Sequence, residues 1–319
     1  MSTKQQLETT NVLTFKKKLE IGLQQTKSLL RNYVTDEVCE RSEAMAIREV
    51  FGARDAVFIE GDLEDTSFGN SVPIRRWMNY RNVGWAERID PFATLDSGID
   101  PFGPYAQLAV AALHRLQDIV ILAGMLGTNR KGKLGNDLDP FDADHIIRMT
   151  DTEDTFFQTL IGQLIKAKAW WMKNDVQVDS EKLIVGLPSD VWVRLFALDK
   201  ATSKDYVNTA SLQAGKIDFF AGFTFVNIEK VPGNSGFPND IKFPKLRDGV
   251  QYVLPCWCAS GVAFAQRKNI VVKYGENAQK WHAPQITATA SFGAARVEPK
   301  KVLGLEITKS SLGLDKKAA

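Results

Sequence analysis

A single apolar stripe constrains this chain more than any other feature. Leu108, Ala112, Leu116, Ile119, Ala123 and Leu126 recur at spacings of 4, 4, 3, 4 and 3 residues, the repeat that lines one face of an α-helix. Pro104 suits the first helical position, where a missing N–H costs nothing, so the pattern predicts a helix from about Pro104 to Met125. Twenty-odd residues rising ~1.5 Å each make a rod on the order of 30 Å long. Gln107, His114 and Asp118 fall on another face. The apolar region from Tyr105 to Gly127 is interrupted by His114, Arg115, Gln117 and Asp118, which argues against a membrane span.

Around this rod the pattern is mixed. A second helix is expected from about Glu153 to Asn174, capped by Asp151 or Thr152, with Phe157, Leu160, Ile161, Leu164 and Trp171 inward. Leu183 to Pro188 reads as a buried strand, Ser189 as an N-cap and Asp190 to Leu198 as a short helix. Strands follow near 223–231, 250–254, 261–265 and 270–274, then two closing strands within 291–307, and Pro232 to Pro244 reads as an exposed loop. Upstream, residues 51–93 carry short β-prone runs broken by Gly52, Gly61, Gly69, Pro73 and Gly84. Phe58 to Asp62 and Gly84 to Asp90 read as two strands flanking a polar tip with Asp62, Glu64, Asp65 and Ser67. Such a two-stranded excursion is marginal alone and should lie against something else.

Composition narrows the function classes. At 319 residues and 44% hydrophobic the chain can bury a sizeable core. Its 40 basic and 38 acidic residues balance to +2, too even for a protein whose main task is gripping nucleic acid. The basic charge that exists is concentrated early: up to Arg31, Lys4, Lys16, Lys17, Lys18, Lys27 and Arg31 face only Glu8 and Glu20, and a helical arm is expected over 11–34. Cys39, Cys256 and Cys258 are an odd set without a paired framework, and the first residues lack the apolar core of a signal peptide, which together predict synthesis in a reducing cytoplasm.

Four features invite a catalytic or metal reading. Gly127 to Lys133 matches Gly-x4-Gly-Lys, the loop that cradles phosphates, but Leu134 stands where magnesium needs a hydroxyl, and the loop follows a helix instead of a strand. Asp137, Asp139, Asp142, Asp144 and His145 form an acidic cluster, yet the sixth and twelfth places of a calcium loop counted from Asp137 hold Asp142 and Arg148 in place of Gly and Glu. Cys256 and Cys258 lack the second pair of ligands that zinc requires. His114, His145 and His282 are scattered, and no nucleophile–base arrangement can be assembled. The chain is therefore expected not to be an enzyme, with no catalytic residue, cofactor or metal.

The ending Gly293-Ala294-Ala295-Arg296-Val297-Glu298, followed by the strand Val302 to Ile307, resembles the ending of the major capsid proteins of tailed double-stranded DNA bacteriophages. Pro73-Ile74-Arg75-Arg76, leading to Trp85-Ala86-x-x-Ile89-Asp90, is similar to that family's Arg-Arg segment and the strand after it. Asp205-Tyr206, then Gly215 through Phe223, is similar to its Gly-x-Ile-x-x-Phe-x-Gly-Phe run. The order of elements agrees. This resemblance implies an α+β fold of the Hong Kong 97-like type: an N-terminal arm (1–50), an extended loop formed as a β-hairpin (51–95), a peripheral domain (96–180 and 266–319) with its spine helix at about 104–125, and an axial domain (181–265). It implies a major head protein that self-assembles, as pentamers and hexamers, into an icosahedral shell around packaged DNA. That shell lies in the virion and its subunits are made in the host bacterial cytoplasm. Scaffolding, portal and decoration proteins are implied partners, contact with DNA should be weak and non-specific, and no membrane is involved. Another virion structural protein or an encapsulin-type shell is the alternative, and a P-loop nucleotide-dependent enzyme the weakest rival. Candidate subunit-interface residues are Arg75, Arg76, Trp85, Arg296 and Glu298. Arg75 and Arg76 stand side by side without a local acid, so their partners are expected on another subunit.

Overall fold

The computed structural model describes residues 23–38, 44–50, 56, 58, 73–89, 102–149, 160–202, 219–309 and 311. These divide into two compact units: residues up to 28, 81–118 and 266–292 form one, and 29–80, 119–265 and 293 onward the other.

In the first unit, β4 (Arg81–Arg88) pairs antiparallel with the outer part of β13 (Ala283–Arg296), from Arg81 opposite Phe292 to Arg88 opposite Gln285. β13 in turn neighbours β12 (Val262–Asn277); β1 (Thr35–Asp36), which pairs parallel with Ala263 and Phe264 of β12, belongs to the second unit. The strands expected at 261–265 and 270–274 are thus one 16-residue strand. The polar run Gln266-Arg267-Lys268-Asn269, which reads as a break in sequence, is strand whose side chains reach water. The described partner of the 84–88 segment is β13; of Phe58 to Asp62, only Phe58 lies among the described residues, and it is exposed.

The helix α1 (Phe102–Leu126) contributes residues 102–118 to this unit and the remainder to the other. Its most buried side is offset by one residue from the predicted stripe: Ala109, Leu113, Gln117 and Val120 are buried, whereas Leu108, Ala112, Leu116 and Ile119 are half-buried. Asp118 was expected on a different face and is only 4% exposed. It is tolerable there because the segment before the second unit satisfies it: the Gln25 side-chain amide and the Ser28 hydroxyl (2.6 Å) donate to its two oxygens. Arg115 beside it donates to the Gln24 side chain at 2.6 Å and the Gln25 carbonyl at 3.1 Å. Among the described residues α1 alone is long and apolar enough to cross a membrane. Its buried Gln117 and Asp118 suit a core helix of a folded protein instead.

The second unit holds two sheets. One has the order β2-β3-β5-β6, built from Ala44–Val50, Ile74–Asn79, Asn129–Lys131 and Asp137–Asp139, all antiparallel. The other has six strands in the order β7-β14-β11-β8-β10-β9: Ile146–Ile147, Val302–Thr308, Val250–Cys258, Leu183–Leu187, Phe223–Asn227 and Phe219–Phe220. β8 and β11 are central and almost continuously buried, as strands covered on both faces must be. Trp171 of α2 (Leu160–Lys173) stacks on Phe223 and donates its indole N–H to the Lys300 carbonyl at 3.1 Å, which anchors the helix to this sheet. The expected start of α2, residues 151–159, lies outside the described residues. The helix α3 runs over Ser189–Thr202. Ser189 is not its cap: the Pro188 carbonyl accepts the first helical bond from Trp192, and the Glu229 carboxylate accepts both the Ser189 N–H (2.9 Å) and its hydroxyl. A carboxylate from another strand end thus meets the positive end of the helix dipole.

Candidate functional site

The Gly293-Ala294-Ala295-Arg296 step ends β13 and joins several elements of the second unit. A Cβ on Gly293 would lie 2.6 Å from the Asn79 carbonyl oxygen at the end of β3, so only glycine allows this approach. Ala294 seats α1: a Cβ on Gly124 would lie 2.6 Å from the Ala294 carbonyl carbon and 2.7 Å from its oxygen. Ala295 enters an apolar cluster with Met78, Ala263, Ala265 and Val297.

Arg296, 1% exposed, closes the junction. Its Nη1 donates to the carbonyls of Met125 (2.8 Å) and Gly127 (3.4 Å), and its Nη2 to those of Asp139 and Pro140, both at 3.1 Å. The first two are carbonyls left without helical partners where α1 ends, so the cation both satisfies them and meets the negative end of the helix dipole. Asn129 adds a 2.8 Å bond to the Gly124 carbonyl. The guanidinium also lies 5.4 Å from the Phe141 ring centroid. Its Nε is buried without a partner among the described residues, and burial pushes the group down to about 10, which leaves it charged at neutral pH.

One carboxylate balances this charge. Asp139 Oδ2 accepts from Arg76 Nη1 at 2.6 Å and lies 3.6 Å from Arg296 Nη2, while Oδ1 accepts from Lys131 at 3.0 Å. Arg76 and Lys131 are directly opposed across β3 and β5, a like-charge pair that would repel without an acid between them. Burial alone would raise the Asp139 carboxyl, but the hydrogen bonds from Arg76 and Lys131 and the nearby cationic charge outweigh it and hold the group below the ordinary carboxylate range.

Two of the interface candidates have partners inside their own subunit: Arg76, 8% exposed, bonds to Asp139, and Arg296, 1% exposed, to the carbonyls where α1 ends. Arg75 is half-buried, and its carbonyl accepts the Gly132 N–H at 2.9 Å. Trp85 is half-buried opposite Ala288. Glu298 is partly exposed and pairs with Lys301 at 3.4 Å.

The Gly127 to Lys133 motif is no phosphate cradle. It follows α1 and runs into the β5–β6 hairpin, with the Gly132 N–H given to Arg75 and the Gly132 carbonyl accepting from Trp77 at 2.8 Å. Among the described residues no three His, Cys, Asp or Glu side chains converge as metal ligands. His145 is held below its usual range, first by burial, and lies edge-on to Phe141 and Trp170. Cys256 and Cys258 are buried free thiols in β11, pushed up by burial, Cys258 to about 12, and so inert. Glu181, Ser260 and Lys301 form a cluster that looks like a nucleophile and base: Lys301 Nζ is 2.9 Å from the Ser260 hydroxyl and 2.7 Å from Glu181. Burial would lower the lysine, but Glu181 outweighs it and raises it, so Lys301 is an ammonium and not a base.

Surfaces that the sequence did not single out are apolar. On α2, Ile165, Ala169 and Met172 follow at helical spacing and all are exposed, Met172 to 57%. Leu134 and Leu138 are exposed around the β5–β6 hairpin, and Trp281, between β12 and β13, is 96% exposed.

A family model described as phage capsid protein matches residues 7–309. No curated protein matches the sequence. Solved structures share the fold: the Cyanophage Pam1 capsid asymmetric unit at TM-score 0.64 and 11% identity, covering 92% of this chain and 95% of that one. Mycobacterium phage Che8 gives a TM-score of 0.62 at 14% identity over 91% and 95%. The capsid of the empty GTA particle gives 0.60 at 12% identity over 92% and 94%. At such identities the likeness is one of fold, here the α+β fold of Hong Kong 97-like capsid subunits.

Proposed function

The chain belongs to the phage capsid protein family, and on that premise we propose that it is the major head protein whose copies close into an icosahedral shell around packaged double-stranded DNA. The observation that carries this reading is a family match spanning nearly the whole chain together with a fold shared over more than nine-tenths of it. A structural role without catalysis accords with Lys301 being an ammonium and with the hairpin bonding of Gly132. Under this reading residues 1–50 act as an arm, 51–95 as the extended loop, 96–180 with 266–319 as a peripheral domain whose spine is α1, and 181–265 as an axial domain. Pentamers and hexamers, the implied scaffolding, portal and decoration partners, and assembly in the host cytoplasm follow from it. A net charge of +2 suits an inner wall that tolerates DNA without a strong, salt-dependent grip.

Contacts between copies need complementary, largely apolar cores. The Ile165–Ala169–Met172 stripe is the exposed helical surface best suited to one, with Arg75, Trp85 and Glu298 as partly exposed polar and aromatic contributors elsewhere. Replacing Ile165 and Met172 together by Asp should leave the subunit's unfolding midpoint almost unchanged, since both side chains already face water. Sedimentation velocity should then find this variant as free subunits or capsomers where the wild-type chain forms megadalton particles. Normal particles from the variant would remove the stripe from the interface.

A further inference from the structure

We propose that Trp281, at the tip of the β12–β13 hairpin, is an anchor that inserts into the surface of a second copy of this chain, an inference that rests on the shell-building function. The first observation is exposure. Trp281 is 96% exposed, although a tryptophan side chain offers 150–250 Å² to bury and is among the most buried residues on average. Its surroundings from Lys273 to His282 are almost entirely exposed as well, including Tyr274 at 56%.

The second observation is backbone strain. Trp281 and His282 both adopt left-handed conformations, with φ of 52° and 54°. Consecutive left-handed residues are what a tight hairpin turn demands, and Asn-Gly supplies them at the least cost. A bulky aromatic in that region is an outlier, and such outliers persist where function holds them. Local support is slight: Asn277 accepts the Gln279 N–H at 3.1 Å, and His282 lies 3.4 Å from Glu276 with both side chains largely in water. The turn therefore bears a strained Trp-His pair whose tryptophan, among the described residues, is left almost wholly in water.

A second copy is the occupant these facts favour. A protruding apolar side chain on a lone protein is an aggregation liability, whereas in a shell it is covered each time a subunit is added. Tryptophan leads the residues that dominate interface energetics. A head-to-tail contact also requires the receiving surface on the same chain, and Leu134, Leu138 and the α2 stripe are exposed apolar surfaces of that kind.

The test is the double substitution Trp281→Asn, His282→Gly, which installs the preferred turn. The subunit should melt no lower than wild type, while the concentration needed for assembly rises roughly tenfold or more, the scale of a lost interface anchor. In parallel, hydroxyl-radical oxidation read by mass spectrometry should mark Trp281 in wild-type subunits kept below the assembly concentration and spare it in shells. Variant shells forming at the wild-type concentration, or Trp281 equally oxidised in both states, would overturn the anchor while leaving the shell function intact. Protection that appears only on adding a different head protein would overturn the copy-to-copy contact. A wild-type chain that never assembles would sink the shell reading itself, and the anchor with it.

Discussion

Replacing Asp139 by Ala should cost the subunit about 3–5 kcal/mol, the scale of breaking a buried ion pair from one side. That is a large part of the 5–15 kcal/mol that holds a typical domain together. The cost is not the loss of one attraction. It arises because Arg76, 8% exposed, and Arg296, 1% exposed, would remain in a poorly solvated site without the carboxylate they share, and because Arg76 and Lys131 would face each other across two strands. Lys131 can turn to water, its side chain being 40% exposed, but the two arginines cannot. Asp139→Asn keeps an oxygen for Arg76 and should fall between wild type and Ala. Urea unfolding followed by tryptophan fluorescence would rank the three.

The same carboxylate sets a direction for pH. Its folded-state affinity for protons lies below the ordinary carboxylate value, so its contribution is complete above that value and is lost as pH falls through the depressed folded one. The Asp139→Ala variant should therefore lose less stability than wild type on acidification. Equal acid sensitivity in both would remove Asp139 as a contributor.

Gly124→Val should cost about 3 kcal/mol or more, the upper range for overpacking. The obstruction is main chain: the carbonyl carbon and oxygen of Ala294 lie 2.6 and 2.7 Å from the position of a Cβ, and the Ala294 methyl 2.9 Å. Backbone in a paired strand cannot move aside as a flexible side chain would. Hence Gly124→Val combined with Ala294→Gly should recover only part of the loss, since it removes the methyl and leaves the two backbone contacts. Thermal melts of the single and double variants would separate the two contributions, and full rescue by Ala294→Gly would show that the methyl alone is at fault.

Much of this architecture is legible in sequence, and the failures have physical causes. Helical period located α1 to within about two residues at its start, because a long amphipathic pattern is a strong local signal. It misjudged the buried side since Asp118 reads as a solvent residue until Gln25 and Ser28, some ninety positions earlier, satisfy it. Arg76 reads as a cation without a local acid, and Arg296 as an interface candidate, for the same reason: their acid, Asp139, lies 63 positions from one and 157 from the other. Nothing in the local sequence of either announces a shared carboxylate. Trp281 did carry a signal, a Trp-His pair where the two strands on either side demand a turn, and turn composition alone passes over it because turns are sought through Gly, Asn and Pro.

Electron microscopy of the purified chain, alone and co-expressed with the other head proteins of its source, tests the central claim most directly. Closed shells whose repeating subunit accepts the α+β fold described above, with the Arg296 junction buried inside each copy, are the predicted result. A monodisperse species of 35.5 kDa under every one of those conditions would contradict it.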